Sequence, residues 1–275
     1  LAGLFVLLPT AFLVLVFANL AEKYFTNYGG VAITSVCLYF SFAPRGLAFH
    51  AKKVLRCIQE NKLDDARKNL SMMVSRNTEI LDMQGIIKAC IESVAENFTD
   101  GVASPLFFVF LGYLCYGTTG AAVAVVFYRA SNTLDSMWGK MNEKYRNFGT
   151  FAARLDDVLN FFPARLALFS IVISSFFLRL HVYKTLSVGL RDSDKHESPN
   201  SAWTEAGFSG ALGVQLGGPA IYSGEKIDHP VIGENIEKPS PEHIDKAIKL
   251  MILSSLVFSL MLAGIKYLKN LFFDI

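Results

Sequence analysis

Charge is scarce in this sequence: charged residues make up 18% of the 275 residues, whereas hydrophobic residues make up 52%. The formal net charge is only +2, and no stretch concentrates basic residues with interleaved aromatics, as a nucleic-acid-binding surface would. We therefore expect no nucleic-acid partner. The composition also excludes disorder, collagen and coiled coil.

Cysteine is also rare in this sequence. The four cysteines form no CxxC pair and lie in or beside apolar runs, and the five histidines are scattered without the spacing of metal ligands. We expect neither a disulfide framework nor a zinc site, and the cysteines are typical of small apolar core residues.

The sequence contains several long runs without charged residues. Each can cross a hydrocarbon core of about 30 Å as a helix. The runs are 1–21, 24–44 and 101–128, followed by 158–178, which carries only Arg165, and a shorter run at 250–265. The first run lacks a basic start and a small-residue cleavage site, so it is not expected to be a signal peptide. The sequence predicts an all-α polytopic membrane bundle of about five spans.

The remaining segments complete this predicted organisation. Helical spacing of apolar residues in 45–100 predicts amphipathic surface helices. GTTG at 117–120 makes 101–128 either one long span or a helical hairpin. The segment 179–249 is rich in Pro and Gly, which predicts a long structured loop rather than a bundle helix. We expect one integral-membrane domain, divided into a hairpin (1–44), catalytic helices (45–180), a substrate loop (181–249) and a final span with its tail (250–275).

Charged and amide side chains at the edges of apolar helices are the first candidates for function, because each is costly in a membrane unless it is paired or functional. Two such groups flank the run 101–128, and the spacing predicts that each occupies one helix face. They are Glu92, Glu96 and Asp100, four residues apart, and Arg129, Asn132 and Asp135, three apart.

The hairpin alternative would bring these groups face to face. Asp100 lies about 18 residues before the middle of 117–120 and Asp135 about 17 after it, so both carboxylates would lie at similar depth on antiparallel helices. Opposed carboxylates with a guanidinium alongside suit a Mg²⁺-bound phosphate. The alternative is that these side chains only join two helices through ion pairs.

Two further segments carry polar side chains at the mouth of a span or in the loop. RLDDVLNFFPAR at 154–165 holds Arg154, Asp156, Asp157, Asn160 and Arg165, and the spacing places Asp156 and Asn160 on one face. Its alternative is a solvated helix start with local ion pairs. GALGVQLGGPAIYSG at 210–224 offers backbone amides for an anion, but it matches neither phosphate-loop spacing, which favours a plain loop with positive φ.

Read in order, three strings resemble a known family. They are ESVAENFTDGVASPLFF at 92–108, YRASNTLDSMWGKMNEKYRNFGTFAARLDDVLNFFPARL at 128–166 and HESPNSAWTEAGFSGALGVQLGGPAIYSG at 196–224. Their order, spacing and wording resemble the adenosylcobinamide-phosphate synthase family of cobalamin (vitamin B12) biosynthesis. The resemblance covers roughly residues 52 to 265.

The resemblance implies a multi-pass ligase of the cell (inner) membrane. Such proteins use ATP and Mg²⁺ to join adenosylcobyric acid to (R)-1-aminopropan-2-yl phosphate, or a related amino alcohol, through an amide bond. Membrane lipid and other enzymes of the cobalamin pathway are the further partners that the resemblance implies.

Site residues carried over by position fall into three sets. The implied metal ligands are Glu96, Asp100 and Asp135. The implied catalytic residues, including the candidate general bases and charge-stabilising arginines, are Asp156, Asp157, Glu205, Arg154 and Arg165. The implied contacts to nucleotide, phosphate or substrate are Glu92, Asn97, Arg129, Asn132, Ser198, Asn200, Trp203, Gly213, Gly217, Gly218 and Tyr222.

Other classes of protein share some of these features. An intramembrane prenyltransferase-like enzyme would also place Asp and Asn clusters on facing helices around a Mg²⁺-bound diphosphate. A transporter would use intramembrane charges as an ion path around a broken helix, without ATP turnover. The basic residues are spread too evenly along the chain to predict which side of the membrane each loop faces.

Overall fold

The computed structural model describes residues 3–139, 146–196, 198–222 and 225–273. Almost all regular structure in this part of the chain is helical. The helices are α1 (Leu4–Ser41), α2 (Pro44–Gln59), α3 (Leu63–Leu70), α4 (Met83–Phe98), a π-helical turn (Thr99–Ala103), α5 (Ser104–Trp138), α6 (Arg146–Phe177), α7 (Val182–Arg191), α8 (Ser201–Leu212) and α9 (Pro241–Phe273). Strands β1 (Leu216–Tyr222) and β2 (Glu225–Ile232) pair antiparallel.

Five helical stretches within the described residues are long and apolar enough to cross a membrane, which confirms the predicted all-α polytopic fold. They are Phe5–Thr26, Tyr28–Gln59, Met83–Trp138, Gly149–Phe177 and Pro241–Leu268. Large apolar side chains remain exposed along them, for example Phe12 and Phe17 in the first. Such exposure is expected where lipid, rather than protein, covers the helix.

Helix α1 is a hairpin, because the chain reverses direction at Phe25 and Thr26, where φ and ψ are not helical. A Cβ atom added to Gly29 would lie 2.2 Å from the carbonyl oxygen of Ala21. Eight residues of straight helix would span about 12 Å, so the two halves must run back along each other. The predicted opening hairpin is confirmed, but its turn follows the expected Glu22-Lys23 connection.

Helix α5 is also a hairpin, which decides between the two predictions for residues 101–128. Tyr116 and Gly117 have non-helical φ and ψ. The rings of Phe108 and Tyr128 stack with centroids 4.9 Å apart, although twenty residues separate them in the sequence. Thr118, just after the turn, accepts a hydrogen bond at its carbonyl oxygen from Thr34 and donates one to Glu22, which joins the two hairpins.

By contacts the chain divides into two compact units. The first comprises 1–43 and 100–163, and the second comprises 44–99 and 164–275. The first unit contains the α1 and α5 hairpins. The second contains α2 and α3, which bury one apolar face each, as predicted for amphipathic helices.

The Pro- and Gly-rich segment 179–249 also contains regular structure, and its longest complete helix is α8. Pro199 and Asn200, followed by Ser201, predict an N-cap and a short helix with Trp203 and Glu205, and α8 confirms this with Asn200 at its N-cap. Nearly every side chain of α8 is buried in the second unit. A Cβ atom at Gly210 would lie 2.3 Å from the carbonyl oxygen of Lys184, and one at Gly207 would lie 2.9 Å from Leu168. Small residues let α8 approach α7 and α6 closely. A helix of twelve residues is too short to stand out as a span by hydropathy.

Candidate functional site

A buried hydrogen-bond network in the first unit gathers side chains from α5 and α6. We call it the Asp156 cluster, and its members are Ser104, Tyr128, Asn132, Asp156 and Asn160. All five are buried. Helical spacing aligns Tyr128 with Asn132 on α5 and Asp156 with Asn160 on α6, as the sequence predicted for the second pair.

The two carboxylate oxygens of Asp156 are each held by an amide. Asn132 Nδ2 donates to Oδ1 at 3.2 Å, and Asn160 Nδ2 donates to Oδ2 at 2.7 Å. Asn160 Oδ1 in turn accepts from Ser104 Oγ at 2.5 Å, and the Tyr128 hydroxyl lies 3.0 Å away. A buried carboxylate with both oxygens bonded to neutral donors is fixed in orientation, and neither donor brings a positive charge to pair with it.

More predicted site residues surround this network. Arg129 Nη1 donates to Asn132 Oδ1 at 3.1 Å. The negative charges of Asp135 and Asp157 act on Asp156 through space. The Tyr128 hydroxyl lies 3.2 Å from the carbonyl oxygen of Asp100. The structure thus gathers the predicted residues of the first unit around one buried carboxylate. Arg154 is exposed.

A second, largely buried cluster lies in the second unit and centres on Glu92. We call it the Glu92 cluster, with members Arg76, Glu92, Glu96, Glu205 and the backbone N–H of Gly217. Glu92 and Glu205 are buried, whereas Glu96 is exposed. Arg76 Nη2 pairs with Glu92 Oε2 at 2.6 Å, and the Gly217 N–H donates to Glu92 Oε1 at 2.7 Å. Gly217 has φ +72, which favours glycine, and a Cβ atom there would lie 2.2 Å from the carbonyl oxygen of Pro230.

Glu205 is the least compensated carboxylate of this cluster. Burial raises the pKa of Glu205 well above its usual range, the negative charges of Glu96 and Glu92 raise it further, and Arg76 opposes them. His196 Nε2 lies 3.9 Å from Glu205 Oε1. A cation or an ammonium group bound here would offset the repulsion between Glu205 and the neighbouring carboxylates of Glu92 and Glu96.

A third contact in the second unit joins the start of α8 to α6. Arg165 Nη1 donates to Asn200 Oδ1 at 3.2 Å, and the guanidinium carbon lies 4.7 Å from the ring centre of Trp203. The Ser198 hydroxyl oxygen lies 3.4 Å from the N–H of Asn200. Stacking on an indole fixes the orientation of the guanidinium plane.

The prediction that Glu92, Glu96 and Asp100 share one face assumed an unbroken α-helix, and that assumption is wrong. Helix α4 ends at Phe98, and Asp100 lies in the π-helical turn, which shifts the phase of the helix. Glu92 and Glu96 belong to the second unit and Asp100 to the first. Their assignment as metal or phosphate ligands stays a prediction.

Several predicted contact residues have local structural roles. Asn97 Nδ2 donates to the carbonyl oxygen of Ser93 at 2.8 Å. Gly213 ends α8 in the left-handed conformation, with φ +68. Gly218 also has positive φ, and a Cβ atom there would meet nothing within 4 Å. Tyr222 ends β1, and its side chain lies outside the described part of the structure.

Sequence reasoning missed three members of these clusters: Arg76, Ser104 and Tyr128. Arg76 lies in a polar loop, where one arginine looks like any surface charge. Ser104 and Tyr128 lie inside an uncharged run, and only the hairpin fold brings them to Asp156. Asn160, which the sequence placed on one face with Asp156, proves to be the centre of the hydrogen bonds in the Asp156 cluster.

Comparison with known proteins identifies relatives over most of the chain. The family described as CobD/Cbib protein matches residues 1–251. The cobalamin biosynthesis protein CobD of Clostridium perfringens (strain 13 / Type A) is 43% identical over 237 residues, which are 86% of this chain and 72% of that protein. The cobalamin biosynthesis protein CbiB of Salmonella typhi is 44% identical over 228 residues, which are 82% and 69%. No solved structure matches the chain significantly.

Proposed function

This chain belongs to the CobD/CbiB protein family, and from that premise we propose that it is an adenosylcobinamide-phosphate synthase. Its relatives are named cobalamin biosynthesis proteins, and the chain accordingly acts in cobalamin biosynthesis. The proposed reaction joins adenosylcobyric acid to (R)-1-aminopropan-2-yl phosphate, or a related amino alcohol, at the expense of ATP. We place the enzyme in the cell (inner) membrane.

One observation carries the proposal: the three strings that resemble the synthase family supply nearly all members of both clusters. Residues 92–108, 128–166 and 196–224 contribute every member except Arg76. Carboxylates buried among apolar helices are costly, so a fold retains them where a ligand or a reaction requires them. A helix-packing role alone would not require the carboxyl group of Glu205 to be buried beside two other carboxylates, those of Glu92 and Glu96.

The chemistry of amide formation matches these side chains. A carboxylate is a poor acyl donor, so an oxygen of the substrate carboxylate would attack the γ-phosphorus of ATP, which forms an acyl phosphate and releases ADP. The substrate amine would then attack the acyl carbon and release phosphate. A carboxylate of this chain, Asp156, Asp157 or Glu205, would accept the proton that the amine loses. Either Arg129 in the first unit or Arg165 in the second would stabilise the negative charge on the transferred phosphoryl group.

The candidate carboxylates of this chain fit a Mg²⁺ ion only if phosphate oxygens of the substrate complete its coordination. Within the described residues, no three His, Cys, Asp or Glu side chains are arranged to hold a metal ion by themselves. Mg²⁺ is usually bound by one or two carboxylates together with substrate phosphates and water. Our candidate ligands are Asp100 and Asp135 in the first unit and, as a separate candidate, Glu96 in the second. When bound, the ion would neutralise the charge of the ATP phosphates.

A direct assay tests the proposal. The chain, purified in detergent, is incubated with ATP, Mg²⁺, adenosylcobyric acid and the amino-alcohol phosphate, and the amide product and ADP are measured by mass spectrometry. We expect the two products in equal amounts. Prenyl transfer, or substrate flux in vesicles without ADP release, would instead support one of the other protein classes.

Asp156→Asn tests the Asp156 cluster in the same assay. Asparagine preserves the size of the side chain but removes the charge, so we expect the rate to fall about a hundredfold. Asp245→Asn is the matched control, because Asp245 lies on α9 in an exposed pair with Lys249. Equal rates for the two variants would reduce Asp156 to a helix-packing residue while leaving the ligase intact.

A further inference from the structure

A polar cleft lies beside α3 in the second unit. Its volume is about 590 Å³, and α3 and the loop before α4 form its walls. The lining residues that matter here are Arg67, Lys68, Arg76, Asn77 and Thr78. None of them belongs to the three strings that resemble the synthase family.

The two guanidinium groups of the lining are more buried than its two carboxylates. The side chains of Arg67 and Arg76 are 25% and 21% exposed, whereas that of Asp64 is 95% exposed. Glu79, the other acidic residue of the lining, is also exposed. Because water screens an exposed carboxylate more than a half-buried guanidinium, an anion is favoured inside the cleft.

The cleft also offers donors that the fold leaves unused. Arg67 donates from Nε to the carbonyl oxygen of Leu81 and from Nη1 to Asp64, each at 3.0 Å. These bonds use two of its five N–H groups. In the described part of the chain, the other three and the ammonium of Lys68 meet no acceptor. Asn77 Oδ1 accepts from the N–H of Glu79, which leaves the amide NH₂ of Asn77 to donate.

Arg76 connects this cleft to the Glu92 cluster. Its guanidinium lines the cleft and also pairs with Glu92 at 2.6 Å. Glu92 is in turn held by the backbone of β1 at Gly217. Arg76 would therefore contact both a group bound in the cleft and the buried carboxylate of Glu92.

We propose that this cleft binds a phosphate group of a soluble substrate. Guanidinium, ammonium, amide and hydroxyl donors around one space match the several acceptor oxygens of a phosphate dianion. The identity of the substrate rests on the proposed function, which supplies two phosphate-bearing molecules, ATP and the amino-alcohol phosphate. The binding itself requires no turnover.

Binding is tested with inorganic pyrophosphate on the purified chain in detergent, by isothermal titration. We expect saturable binding that Lys68→Gln weakens about tenfold and Lys68→Arg largely restores, because a charge-assisted hydrogen bond is lost in the first and kept in the second. Lys68 is exposed, so neither variant threatens the fold. Lys62→Gln is the matched control, since Lys62 is an exposed lysine that pairs with Glu60 outside the cleft.

Three results would overturn the site: no saturable binding by the unmodified chain, no effect of Lys68→Gln, or equal weakening by Lys62→Gln, which would mean adventitious attraction to surface charge. The kinetic assay then identifies the substrate. Lys68→Gln should raise KM about tenfold for either ATP or the amino-alcohol phosphate, with kcat unchanged.

The two proposals can fail separately. Pyrophosphate binding that depends on Lys68, in a chain that makes no amide, would support the cleft and contradict the ligase. Amide formation with the same KM for both substrates in Lys68→Gln would contradict the cleft and leave the ligase standing.

Discussion

Three buried carboxylates in the described part of the chain, those of Asp156, Glu205 and Asp192, have different surroundings. Asp156 accepts hydrogen bonds from neutral amides. Glu205 faces other carboxylates, which together with burial raises its pKa. Asp192 is fully buried but accepts from Arg191, Lys195 and the backbone N–H of Gly233. The hydrogen bonds from Arg191 hold the pKa of Asp192 well below its usual range, against the opposing effect of burial.

Asp192→Asn is expected to lower the free energy of unfolding at pH 7 by about 3 kcal/mol, because two cations lose a buried partner. A lowered pKa in the folded state stabilises the fold above the unfolded-state pKa of about 3.9, and this stabilisation is lost as the pH falls towards the folded-state value. The difference between the variant and the unmodified chain should therefore shrink from pH 7 to pH 3. Thermal unfolding in detergent at both values measures it.

The control for this experiment is Asp245→Asn, which breaks one exposed pair with Lys249 and should change stability by less than about 0.5 kcal/mol. A difference for Asp192→Asn that is as large at pH 3 as at pH 7 would contradict the charge-based explanation and assign the effect to packing.

At the scale of elements, helix reversal depends on small residues that let two antiparallel helices touch. In α5, Gly112 and Gly120 face each other across the hairpin. The turn at 116–117 could be anticipated from the sequence, because GTTG interrupts an uncharged run that is longer than one span needs. The π-helical turn at 99–103 could not, because no residue pattern marks it.

Gly112→Ala should destabilise the α5 hairpin by about 2 to 3 kcal/mol, because the new Cβ atom would lie 2.2 Å from the backbone carbonyl oxygen of Gly120. Thermal unfolding in detergent, followed by circular dichroism, measures the loss. Gly264→Ala is the matched control: a Cβ atom in that part of α9 meets nothing within 4 Å, and alanine favours helix by about 1 kcal/mol over glycine. A neutral Gly112→Ala would mean that the helices of the hairpin separate easily.

For the whole molecule, the exposed apolar side chains of the spans decide where it resides. Phe17 lies near the middle of the candidate span Phe5–Thr26 and is 62% exposed. In water such exposed apolar side chains would favour aggregation, whereas in a membrane the lipid chains solvate them.

Phe17→Arg is expected to cost about 3 kcal/mol of insertion free energy, because a charge replaces an apolar side chain near the centre of a span. The fraction of the chain that stays in the membrane after alkaline extraction should fall. Met72→Arg is the control, since Met72 is 72% exposed but lies outside the five spans. Equal recovery of the two variants would place Phe17 away from lipid.

The sequence alone determined the helical class, the spans, the amphipathic helices α2 and α3 and the shared face of Asp156 and Asn160. All of these follow from helical periodicity and from hydropathy, and both can be read from residues that lie close together in the sequence. Only the tertiary structure decided which residues meet Glu92. Arg76 comes from a loop before α4, and Gly217 lies 125 residues after Glu92 in the chain. Such partners are set by how helices pack and where a glycine permits a positive φ, and no local pattern carries that information.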